Sequence, residues 1–219
     1  MLFRSTLTAE AATDHHDDHG DHGHATNTGI TNEKLGMWFF LGSECLLFGG
    51  LISTFLLYKK KLNTFPGFES TSVVKLGRNL FDIPFTSVSS FVLLMSSLTM
   101  VLAVSALQRD DLRRTRIWLL ATAMLGSTFL AGQAYEFTAF VKEGLGFTTN
   151  IFSSAFFTLT GFHGAHVLIG IVILMTMYAR SMQGKLRSRN AETLEIAGLY
   201  WHFVDVVWIV IFAVVYLIP

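Results

Sequence analysis

Five stretches of this chain are each long and apolar enough to cross a lipid bilayer, and that leaves few folds open to it. A spanning helix needs about 20 apolar residues at a rise of about 1.5 Å each. The stretches lie near residues 35–58, 85–107, 117–141, 151–179 and 195–217. Alternation with a period of two is absent from them, which argues against a transmembrane β-barrel. Residues are 51% hydrophobic and 15% charged, well below the roughly 25% charge of soluble domains. The predicted fold is an all-α integral membrane protein, a five-transmembrane-helix bundle over residues 34–219. Residues 1–33 are predicted to be a disordered tail rich in His and Asp. The first span starts too late, and lacks a cleavage pattern, to be a signal peptide.

Lysine and arginine counts set the predicted orientation. The tail and the loops after the second and fourth spans together hold ten (Arg4, Lys34, Arg109, Arg113, Arg114, Arg116, Arg180, Lys185, Arg187, Arg189). The loops after the first and third spans hold six (Lys59, Lys60, Lys61, Lys75, Arg78, Lys142). The N-terminus is therefore expected inside and the C-terminus outside, with the five charges of the first loop dissenting. Formal net charge is zero, so nothing points to nucleic acid as a partner. The single cysteine, Cys45, excludes a disulfide framework and reads as a small buried hydrophobe. Haem-attachment, dinucleotide and Walker motifs are absent from the sequence.

The tail carries five of the eight histidines in Asp14-His-His-Asp-Asp-His-Gly-Asp-His-Gly-His24. Imidazole with carboxylate can bind zinc, copper or nickel, but the spacing defines no coordination shell, and a solvated leader is the simpler reading.

Polar side chains at membrane depth carry more information, because they are costly in hydrocarbon. Glu44 lies nine residues past Leu35, about 14 Å along the first span and near mid-bilayer. A carboxylate there is either protonated or held by a partner. Two readings stand: a proton-linked or lipid-linked acid, or a neutral acid bridging helices. Gln133 and Glu136 sit in the third span, with Glu136 close enough to its outer end to read as a snorkelling or capping-region acid. The fourth span holds His163 and His166, three residues apart and so on one side of the helix, with Gly161, Gly164 and Ala165 thinning it for a neighbouring helix or lipid chain. The fifth holds Trp201, His202, Asp205 and Trp208. Asp205 is about 15 Å and His166 about 20 Å from the inner side, so a polar cluster of Glu44, His166, His202 and Asp205 is feasible. His-x-x-His and His-x-x-Asp are not the Glu-x-x-His pairs of di-iron bundles, so a hydrogen-bonded network is favoured over a metal site.

Four motifs in order resemble subunit III of the haem–copper oxidases, in its five-helix bacterial form. They are Glu44 in its apolar setting, similar to the family's carbodiimide-reactive acid; Gly132-Gln-Ala-Tyr-Glu-Phe137; Phe157-Thr-Leu-Thr-Gly-Phe-His-Gly-Ala-His-Val-Leu-Ile-Gly170; and Tyr200-Trp-His-Phe-Val-Asp-Val-Val-Trp208. The resemblance covers residues 33 to 219. It lacks the first two of the seven helices of the mitochondrial form. It implies a non-catalytic subunit of a proton-pumping terminal oxidase in the bacterial plasma membrane, reducing O2 to water. Such a subunit packs beside catalytic subunit I and the other oxidase subunits, binds phospholipid, and supports proton uptake and turnover stability. The resemblance places haem and copper in partner subunits and no cofactor or metal in this chain. Glu44 would be the proton-linked buried acid, and His163, His166, His202, Asp205, Glu136 and Trp201 polar groups for helix packing or lipid contact. Two alternatives are the small subunit of a nitric oxide reductase system and a stand-alone proton-linked transporter using Glu44 and Asp205. The transporter would favour repeats and broken helices, and neither is visible in the sequence.

Overall fold

The computed structural model describes residues 31–61, 83–142, 146–148, 151–186 and 191–217. These form five helices: α1 (Asn32–Lys61), α2 (Ile83–Gln108), α3 (Leu112–Lys142), α4 (Ile151–Met182) and α5 (Ala191–Phe212), the last continuing as one π-helical turn over Ala213–Leu217. All five are long and apolar enough to span a membrane, and the described residues contain no strand. The helices run past the predicted spans at most ends. Hydropathy stops at the first charges, whereas backbone hydrogen bonding carries on into the headgroup layer. The His/Asp-rich part of the tail and most of the loop after α1 lie outside the described residues.

The ends are built by local chemistry. Thr31 caps α1, its hydroxyl accepting from the Lys34 N–H at 3.4 Å, and Asp111 caps α3, accepting from the Arg114 N–H at 3.1 Å. Pro84 sits in the first turn of α2, where its missing N–H has no helical partner to lose. Helices α2 and α4 end in paired Schellman bonds, Asp111 N–H to Ala106 O with Asp110 N–H to Leu107 O, and Lys185 N–H to Arg180 O with Gly184 N–H to Ser181 O. That motif needs a left-handed residue, supplied by Asp110 (φ 59°) and Gly184 (φ 71°).

In the bundle α3 packs between α2 and α4, α5 packs on α2 and α4, and α1 lies against α4 and α5. The core holds Leu93, Phe129, Phe156, Trp201 and Trp208, joined on the α1 side by Phe48 and Phe55. The outward faces carry Trp38, Phe39, Val88, Phe91, Met124 and Val172, apolar as hydrocarbon requires. Cys45 is on such a face and not buried: it follows Glu44 by one residue, which turns it about 100° from the packed side of α1.

One end of the bundle gathers the start of α1, the α2–α3 and α4–α5 connections, and the polar groups among them. Lys34 donates to Glu195 at 2.8 Å, Gln108 donates to the other oxygen of Glu195 at 2.9 Å, and Thr31 donates to Glu192. Arg116 clasps Ser181 through its hydroxyl (3.0 Å) and carbonyl (2.7 Å).

Candidate polar sites within the membrane

Glu44 and His166 meet directly. Glu44 Oε2 lies 3.2 Å from His166 Nε2, bringing α1 onto α4. His166 Nδ1 is 2.8 Å from the Phe162 carbonyl, which only accepts, so Nδ1 carries a proton. Nε2, the other ring nitrogen, is the one that faces Glu44. Tyr200 of α5 donates to the His166 carbonyl at 3.0 Å, and its ring stacks on Phe40. The edge of Phe48 covers the His166 ring with centroids 5.2 Å apart.

His163 occupies a different environment, although it is only three residues away. Its ring is fully buried and stacks on Trp208 at 4.9 Å, with Phe129 and Phe48 meeting it edge-on. Both ring nitrogens lack a hydrogen-bond partner among the described residues. His163 therefore points to the core and His166 to α1, an angular difference of about 60° that separates two positions three apart. Gly164 makes room for Gln133 and Leu130 of α3, whereas nothing lies near Gly161.

His202 and Asp205 face α2, not Glu44. Ser97 Oγ is 2.5 Å from His202 Nδ1, and Asp205 lies beside the same hydroxyl, with its Oδ1 lacking a hydrogen-bond partner among the described residues. The expected cluster thus divides in two, Glu44–His166 on the α1–α4 side and Asp205–Ser97–His202 on the α2–α5 side. Equal depth made one cluster feasible, and the rotation of α5 assigns its polar pair to another neighbour.

Trp201 is buried with its Nε1 donating to Ser96 at 3.0 Å, and Trp208 donates to Ser90 at 2.8 Å. Glu136 is buried between helices and accepts from Thr86, with Tyr216 of the π-helical turn hydrogen-bonded to the same two groups. The snorkelling reading of Glu136 fails for a geometric reason. Its side chain turns inward, where the start of α2 and the end of α5 close over it.

Sequence reasoning overlooked α2. Thr86, Ser90, Ser96 and Ser97 receive Glu136, Trp208, Trp201 and the His202–Asp205 pair. The available signal was a row of small hydroxyl residues in an apolar helix, with Thr86, Ser90 and Ser97 spaced by four and seven so that they share a face. Among the described residues no three side chains of the His, Cys, Asp or Glu type come together as a metal site would require.

The sequence matches known proteins over most of its length. The family model of cytochrome c oxidase subunit III matches residues 4–218. Cytochrome c oxidase subunit 3 of Bacillus sp. (strain PS3) is 42% identical over 186 residues, 85% of this chain and 86% of that protein. Quinol oxidase subunit 3 of Bacillus subtilis (strain 168) is 36% identical over 207 residues, covering 91% of this chain and 97% of the relative. Cytochrome c oxidase subunit 3 of Synechocystis sp. is 39% identical over 201 residues, covering 91% and 79%.

Proposed function

The chain belongs to the cytochrome c oxidase subunit III family, and from that premise we propose how it serves the oxidase of which it is a subunit. It lies in the bacterial plasma membrane with its Arg-rich end inside. It packs directly against subunit I, carries no redox centre of its own, and leaves haem and copper to its partners. It binds phospholipid and supports proton uptake and stability during turnover, with Glu44 as the proton-linked acid. The relatives described above carry both cytochrome c oxidase and quinol oxidase names.

The observation that carries the reading is the Glu44–His166 contact, a carboxyl group and an imidazole 3.2 Å apart within the membrane-spanning region. Such pairs are seldom kept in hydrocarbon without a role. His202 and Asp205 on the α2 side and the enclosed His163, Glu136 and Trp201 serve helix packing. The test compares purified oxidase with and without this chain through sustained turnover. Loss of the chain should speed inactivation and slow proton uptake while leaving haem and copper content unchanged. If turnover stability is unaffected, or if haem or copper departs with the chain, the reading is wrong.

A further inference from the structure

The lipid-side surface of this bundle looks after its own hydrogen bonds. Ser43 donates to the Phe40 carbonyl, Thr54 to Gly50, Thr128 to Met124 and Thr176 to Val172, each within its own helix. Such hydroxyls ask nothing of their surroundings. His202 differs. Its Nδ1 is engaged by Ser97, but its Nε2 has no hydrogen-bond partner among the described residues, and the ring is partly exposed.

His202 belongs to an open strip of α5 that continues through Phe203, Val206, Ile209 and Val210. The strip is bounded by α1 on one side, through the Phe48–Phe203 ring contact, and by α2 on the other, through Ser97–His202. It is the floor of a groove with α1 and α2 as walls. His202 is eleven residues from the start of α5, about 17 Å along a helical segment that rises about 40 Å. That is mid-membrane, beyond the reach of a headgroup at either surface, and an acyl chain has no donor or acceptor to offer.

We infer that the groove between α1 and α2 over α5 receives a transmembrane helix of another oxidase subunit, which brings a hydroxyl or amide side chain to His202 Nε2. The two tautomers of His202 select that side-chain class. When Nδ1–H donates to the Ser97 hydroxyl, Nε2 is an acceptor. When Ser97 donates to Nδ1, Nε2–H is a donor. Hydroxyls and carboxamides meet either sense, whereas ammonium and guanidinium meet only the first. Association in lipid depends on such hydrogen bonds and on close packing, because apolar contact alone does not separate helix from lipid tail.

This inference rests on the oxidase-subunit reading, and the experiment separates the two. A photo-crosslinking amino acid is placed at Val206, on the floor of the groove and 57% exposed, and in a second strain at Met124, 63% exposed on the far face of α3. The chain is affinity-tagged and irradiated in native membranes. Co-purification of haem-bearing oxidase with the tag tests membership of the complex, and its absence overturns that reading. Given co-purification, a cross-linked band to another oxidase polypeptide is expected at Val206 and not at Met124. Lipid adducts alone at Val206, or an equal polypeptide band at Met124, overturn the groove assignment. His202→Phe should weaken retention of this chain during detergent purification, and His202→Gln, which keeps a donor and an acceptor, should restore it. Equal retention of both variants overturns the role of Nε2.

Discussion

Alanine at Gly126 is predicted to destabilise the bundle by about 1–3 kcal/mol, and the structure supplies the working. The indole of Trp201 fills the space that two glycines on different helices leave open. A Cβ on Gly126 would stand 2.5 Å from Cη2 and 2.9 Å from Cζ2, and one on Gly170 would stand 2.8 Å from Cε3 and Cζ3. Ordinary carbon contacts are about 3.5–4.0 Å, so Gly126→Ala asks the ring to move by about 1 Å. Moving away from α3 carries it towards Gly170 on α4, and its Nε1 is held by Ser96 at 3.0 Å. Overpacking of this kind costs about 1–3 kcal/mol, and breaking the Ser96 bond adds about 0.5–1.5 kcal/mol. The better helix propensity of alanine offsets about 1 kcal/mol. Gly42→Ala is the control, because nothing lies within 4 Å of its Cβ position and only the propensity gain remains. Thermal unfolding of the full-length chain in nanodiscs, followed by the loss of helical circular dichroism, should order the variants Gly42→Ala, parent, Gly126→Ala from most to least stable. Trp201→Phe should be less damaging in the Gly126→Ala background than in the parent. If Gly126→Ala melts with Gly42→Ala, or the two substitutions are additive, the clamped-indole account is refuted.

Glu44→Ala should abolish labelling of this chain by a hydrophobic carbodiimide while the subunit still assembles; mass spectrometry of labelled oxidase checks this, and persistent labelling would move the reactive acid to Asp205 or Glu136. Ser97→Ala removes the hydroxyl that meets His202 Nδ1 and should cost about 1–3 kcal/mol for the ring nitrogen it leaves unpaired, read by the same unfolding assay, with Ser97→Thr closer to the parent. Lys34→Ala removes a partly exposed contact with Glu195 at the bundle end and should change stability by less than about 1 kcal/mol, with the difference shrinking as salt is added.

Length along a helix was legible in the sequence, and rotation about it was not. Unbroken apolar length alone gave the five spans, because hydrocarbon forces every backbone group to bond within its own helix. Depth gave the Glu44–His166 encounter, since both groups fall near the middle of their helices and α1 had α4 within reach. Depth also suggested that His202 and Asp205 join them, and there it failed. The side of α5 that faces α1 is set by where Trp201 and Trp208 bury their indoles, and their slots are cut by Gly126, Gly170 and the serines of α2. Those small residues carry no hydropathy signal. Glu136 went astray for the same reason, its distance from the helix end being read without the direction of its side chain. Cys45 was misplaced because an apolar run looks alike on its packed and its lipid-facing sides.

The polar residues of the spans are sorted by what they touch, and that sorting bears on where a proton can reside. His202 is held by a serine hydroxyl, Glu136 sits with a threonine and a tyrosine, and His163 is enclosed by aromatic rings. In Glu44 and His166 a carboxyl group and an imidazole meet without an intermediary, and the second imidazole nitrogen is already committed to a backbone carbonyl. A substitution there alters a direct contact between two titratable groups, whereas Ser97→Ala removes a hydroxyl that holds one imidazole. The two kinds of change are therefore expected to differ in proton uptake even where their effects on stability are alike.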